Sequence, residues 1–147
     1  MPYSADHKRR TRQRILRAAA RAFRAQGLDG VSVPGVMREA GLTHGGFYAH
    51  FGSKDDLFRS VIERRARPVT QTSLRALEAA LETSGGAPLS LQEVVRTWVV
   101  PIATLPQTDK RWSNWLKLMI HSDSLSDRPE LLAPIRDAYV PVFAAYL

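Results

Sequence analysis

The chain has no cysteine among its 147 residues. Disulfides and thiolate metal sites are excluded, and the composition suits a reducing compartment. A long hydrophobic run is also missing. The most apolar stretch, Trp98 to Ala103, falls far short of the ~20 residues that span a bilayer, and Pro101 interrupts it. Near the N-terminus, Asp6, His7, Lys8, Arg9 and Arg10 lead into apolar residues interleaved with arginine, so no signal peptide is expected. These absences predict a soluble, cytoplasmic protein. No stretch alternates apolar and polar residues with period two, and no sequence repeat occurs, so strands are not expected.

The usual enzyme signatures are absent as well. There is no G-x-G-x-x-G and no G-x-S-x-G, and Gly52-Ser53-Lys54 lacks the Gly-x4-Gly-Lys order of a phosphate loop. His44 and His50 are six apart, which puts them on different helix faces rather than at the i, i+4 spacing of a helical metal pair. Neither an enzyme nor a cofactor or metal site is expected.

Acidic residues are scarce in the first half. Residues 1–67 hold 14 Lys/Arg against 6 Asp/Glu, a net of +8, whereas residues 68–147 hold 7 against 8, a net of −1. The whole-chain charge of +7 thus belongs to the first half. A one-sided positive end suits DNA, RNA or an anionic membrane surface.

Helical periodicity dominates the chain. From Asp6 to Gln26, Ile15, Leu16, Ala19, Ala20 and Phe23 form an apolar stripe opposite Arg10, Arg14, Arg17, Arg21 and Arg24. That arginine stripe reads equally well as a solvated face or a polyanion contact. Its alanine-rich apolar side makes a thin membrane anchor. Gly27 is a C-terminal stop. Ser32 can cap a short helix with Pro34 in its first turn and Val33, Val36, Met37 and Ala40 on its apolar side. Gly41 ends it, and Thr43 can cap another, from His44 to His50. Two short helices joined by a tight glycine turn are a helix-turn-helix arrangement. Ser53 can cap a further helix, with Asp55 and Asp56 in the first turn as the dipole favours. Pro68 predicts a break or kink. More helical segments follow near 69–83, 90–104, 109–122 and 129–147.

The string from Gly41 to Phe58, Gly-Leu-Thr-His-Gly-Gly-Phe-Tyr-Ala-His-Phe-Gly-Ser-Lys-Asp-Asp-Leu-Phe, resembles the DNA-binding signature of the TetR family of regulators. With the upstream pattern of Ile15, Ala18, Ala19, Phe23, Gly27 and Val31-Ser32-Val33, the resemblance covers about residues 8–62. It implies an all-α chain. A three-helix helix-turn-helix domain (residues 1–60) would bind duplex DNA, and a helical ligand-binding and dimerisation domain (61–147) would follow. The implied protein is a transcription regulator of repressor type, acting as a homodimer and released by a small-molecule inducer, with no membrane role.

The resemblance assigns roles to matching positions. Thr43 would cap the recognition helix and touch a phosphate. His44 and Gly45 would face base edges, and Gly46 would let the backbone approach DNA. Tyr48, His50 and Lys54 would reach phosphates, the last from a helix start where free N–H groups favour an anion. Gly45-Gly46 removes side chains where the family often reads bases, and Pro34-Gly35 removes them at the start of the second helix, another place the family uses for contacts. Readout would then rest on His44, on Arg38 from the preceding helix, or on DNA shape. His50 has an equal alternative as a core histidine bonded to backbone.

In the second half, Trp98, Trp112, Trp115, Met119, His121 and Tyr139 are the large groups that could line a ligand pocket between helices. Ordinary core packing is the alternative for each of them. Leu131, Leu132, Ile135, Tyr139, Val142, Phe143 and Tyr146 form an apolar stripe that runs to Leu147 with no cap or polar tail. The resemblance implies further helices that form the dimer interface, so this ending is expected of a truncated chain, or of a short member with an altered interface. A membrane-surface or protein-interaction module built on the basic helix is a further alternative for the whole chain.

Overall fold

The computed structural model describes residues 2–101, 103–104, 110, 113, 127–137 and 140. Their regular structure is helical, with no strand among the described residues. In chain order the elements are α1 (Pro2–Gly30), α2 (Val33–Glu39), a 3-10 helix (His44–Ala49), α3 (Lys54–Thr83) and α4 (Leu91–Val94). The last runs on into a π-helical turn, Val95–Val99, and a 3-10 turn, Pro129–Leu132, comes later. Among the described residues no helix is long and apolar enough to cross a membrane.

The chain forms two compact units. One holds Met1–Val61 with Leu118–Leu131, and the other Ile62–Lys117 with Leu132–Leu147. In the first unit α1 buries Ile15, Leu16, Ala19 and Phe23 of the expected stripe, with Ala18 and Ala22 beside them, whereas Ala20 is exposed. Gly27 interrupts α1 at φ 71°, a left-handed conformation that a side chain disfavours. The chain can therefore turn so that Leu28 and Val31 are buried too. Phe58 of α3 meets Phe23 edge to face, with ring centroids 5.0 Å apart. Both rings are fully buried, each stabilising the unit by roughly 1.5–3 kcal/mol.

Most of α3 lies in the second unit. Of the expected break or kink, no break forms: α3 runs as one helix from Lys54 to Thr83 with Pro68 inside it. Pro68 removes one i→i−4 hydrogen bond. Against that loss, Ile62, Ala66, Thr70, Ser73 and Leu77 are buried at helical spacing on both sides of the proline. Burying a continuous face outweighs one missing bond. The Thr70 hydroxyl is satisfied within the helix, donating to the carbonyls of Ala66 (3.2 Å) and Arg67 (2.9 Å). α4 begins with the capping box of Ser90 and Glu93.

Candidate nucleic-acid interface

The site is built on local capping first. Ser32 adopts an extended backbone and its hydroxyl accepts from the Gly35 amide at 3.2 Å, which starts α2. A Cβ on Gly35 would stand 3.0 Å from that hydroxyl oxygen, so the cap itself favours glycine there. At the other end, Gly41 lies at φ 67° and α2 closes with Leu42 N donating to Met37 O at 2.9 Å. Arg14 completes this end from α1: its guanidinium donates to the Ala40 carbonyl at 2.7 Å. The turn between the two short helices is thus held from below.

The second short helix is 3-10 rather than α, and spans His44–Ala49. Thr43 occupies its N-cap position, but the expected side-chain cap is not formed. The tighter turn closes on the Thr43 carbonyl instead, which accepts from Gly46 N at 3.2 Å. The Thr43 side chain is left exposed. Phe47 and Phe51 are buried and stack with centroids 5.7 Å apart, fastening the helix to the core. The opposite side is open. His44 and Gly45 are exposed, and a Cβ on Gly45 would meet nothing within 4 Å. Gly46 has ordinary room beside it, since a Cβ there would come no nearer than 3.8 Å, to Met37 Cε. Tyr48 is 67% exposed, and its ring leans edge-on against Phe47 (5.3 Å) and His44 (6.1 Å).

Ser53 caps α3 as its sequence position predicts. Its hydroxyl accepts from Asp56 N at 3.0 Å, while the Asp56 carboxylate accepts from Gly52 N at 2.9 Å. Lys54, at the first position, donates to the Val31 carbonyl at 3.3 Å. This uses one of three ammonium protons. His50 is half-buried, and its Nδ1 is buried with no hydrogen-bond partner among the described residues. Nδ1 therefore makes no bond to backbone among the described residues. Burial holds its pKa below the ordinary imidazole value, and the positive charges of Lys8, Arg12 and His7 add to the shift. Arg38 is exposed, on the wall of a cleft of about 360 Å³ that Ser32 and Glu39 also line.

The arginine stripe of α1 divides. Arg10 pairs with Asp6 at 2.8 Å, Arg21 with Glu39 at 2.6 Å, and Arg14 caps α2. Arg17 and Arg24 are exposed with no ion pair among the described residues. Arg12, outside the stripe, lies 4.7 Å over the Phe51 ring and donates to Ser60 Oγ at 3.1 Å. Sequence reasoning missed Arg12 and the capping role of Arg14, because each acts on a residue far along the chain and leaves no local pattern.

Of the pocket candidates, Trp98 is half-buried in the π-helical turn of the second unit. Trp112, Trp115, Met119, His121 and Tyr139 lie outside the described residues, as do Val142, Phe143, Tyr146 and Leu147 of the terminal stripe.

Residues 15–61 match the family model described as bacterial regulatory proteins, tetR family. The HTH-type transcriptional regulator AcrR of Shigella flexneri is 30% identical over 112 residues, covering 76% of this chain and 48% of that protein. The HTH-type transcriptional repressor BepR of Brucella suis biovar 1 (strain 1330) is 36% identical over 66 residues, covering 45% of this chain and 32% of that protein. A crystal structure of a chain assigned to the TetR family of transcriptional regulators, from Mesorhizobium loti MAFF303099, superposes with TM-score 0.59 at 25% identity. The match covers 89% of this chain and 61% of that one. The chain spans about half the length of the first curated relatives it matches.

Proposed function

We propose that the chain, whose residues 15–61 match the tetR family of bacterial regulatory proteins, is a sequence-specific DNA-binding transcription regulator of that family. It acts as a repressor, as BepR's name says of that relative, and it reads a palindromic operator. In this reading, residues 1–60 bind DNA and residues 61–147 hold a ligand and the dimer contact. One observation carries it. Thr43, His44, Gly45 and Tyr48 are exposed on and beside one short helix that Phe47 and Phe51 anchor in the core. A solvent-facing helix anchored in this way fits a major groove.

Thr43, Tyr48, His50 and Lys54 serve as donors to phosphate oxygens, setting affinity and register. His44, the bare backbone at Gly45 and Gly46, and Arg38 meet base edges or follow groove shape. Two copies would place their helices in successive grooves, with centres about 34–36 Å apart. A small molecule held by Trp98 together with Trp112, Trp115, Met119, His121 and Tyr139 would release DNA only by binding the released state more tightly.

Fluorescence anisotropy on duplex DNA tests the phosphate assignments. Tyr48→Phe removes one hydroxyl and is expected to weaken binding roughly threefold to tenfold on every duplex, the worth of one hydrogen bond. Lys54→Ala should weaken binding uniformly and lower the salt-dependence slope by about one. Undiminished affinity in both variants would remove these residues from the interface.

A further inference from the structure

Arg128 reaches two carboxylates that lie far from it in sequence. Its Nη2 donates to Asp29 Oδ1 at 3.0 Å across 99 residues of chain. Its Nη1 donates to both oxygens of Asp55, at 3.2 and 3.4 Å, across 73 residues. All three residues belong to the first unit. The 3-10 turn Pro129–Leu132 delivers the arginine: Leu131 N donates to Arg128 O at 3.1 Å, and the Leu131 side chain is buried.

The two carboxylates bracket the Lys54 contact. Asp29 is two residues before Val31, whose carbonyl accepts from Lys54, and Asp55 directly follows Lys54. The contacts make a closed circuit, from Arg128 to Asp29, along the chain to Val31, across to Lys54, on to Asp55 and back. Arg128 sets a positive charge against Asp55, the neighbour of Lys54, and against Asp29, which has a further interaction of its own. Without Arg128 the 39% exposed Asp55 carboxylate would lose this cation and stand as a negative charge directly beside Lys54.

We propose that Arg128 is a positioning residue for DNA binding, neutralising Asp29 and Asp55 so that Lys54 can be offered to a phosphate. This inference rests on the DNA-binding reading above. The guanidinium suits the task because its planar fork serves two carboxylates at once.

The test measures affinity for duplex DNA over a range of salt, using the full chain and three variants, with melting curves for each. Arg128→Ala is expected to lose on the order of tenfold in affinity at low salt, converging on wild type at high salt as charges are screened. Arg128→Lys, which keeps the charge, should stay much closer to wild type. Adding Asp29→Asn and Asp55→Asn to Arg128→Ala should restore affinity although the contacts stay broken. A purely structural tie would not be rescued in this way. Wild-type affinity in Arg128→Ala, or no recovery in the triple variant, would overturn the proposal. A wild-type chain that binds no duplex would instead refute the DNA-binding reading beneath it.

Discussion

At the scale of single residues, the candidate interface separates groups with a structural duty from groups left open. Phe47 and Phe51 are buried, and Lys54 already donates to Val31 O. Thr43, His44 and Tyr48 are exposed. His50 is a residue whose chemistry responds to pH. Burial lowers its folded-state pKa, and Lys8, Arg12 and His7 add to the shift. In the window between that lowered value and the ordinary value of about 6.5, the unfolded chain binds more protons. This contribution to stability is therefore present above the ordinary value and is lost as pH falls. Phosphate binding has the opposite sign, because an anion favours the imidazolium. DNA affinity should strengthen as pH drops through the same window, while the melting temperature declines. His50→Gln should flatten both slopes relative to wild type, and unchanged pH profiles for affinity would take His50 out of phosphate contact.

At the scale of elements, local signals were legible and distant ones were not. Ser32, Ser53 and Gly41 mark helix ends in the sequence, and each stands at its end in the structure, while Gly27 interrupts α1 shortly before its last residue. Capping and left-handed turns depend on a few neighbouring residues, so one stretch of chain contains the whole cause. Ser32→Ala is expected to cost about 1 kcal/mol, read as a lower denaturant midpoint. Thr43 looked like the same signal, but the 3-10 geometry closes on its backbone carbonyl. Pro68 makes no break for a different reason, since a local rule met a buried face that extends past it on both sides. Pro68→Ala restores the missing backbone bond and should stabilise α3 by about 1–3 kcal/mol. Thermal unfolding measures this, and a destabilised variant would show that the proline shapes the helix in a way the second unit requires. Arg14, Arg12 and Arg128 act across 26 to 99 residues of chain, where periodicity carries no information.

At the scale of the whole molecule, charge and fold point the same way. The basic half of the sequence contains most of the first unit, and its residues 15–61 match the family model. The net +8 of residues 1–67 is partly consumed within the fold, with Arg10, Arg14 and Arg21 bonded internally. Net charge alone would therefore overstate the number of phosphate contacts. The central claim is sequence-specific docking on duplex DNA through the helix that carries His44 and Tyr48. Selection of bound sites from random duplex DNA, followed by sequencing, tests it most directly. The predicted result is an enriched palindrome with half-sites about one helical turn apart, lost when Tyr48 and Lys54 are both replaced by alanine. A pool that shows no enriched sequence, or one equally enriched by the double variant, would contradict it.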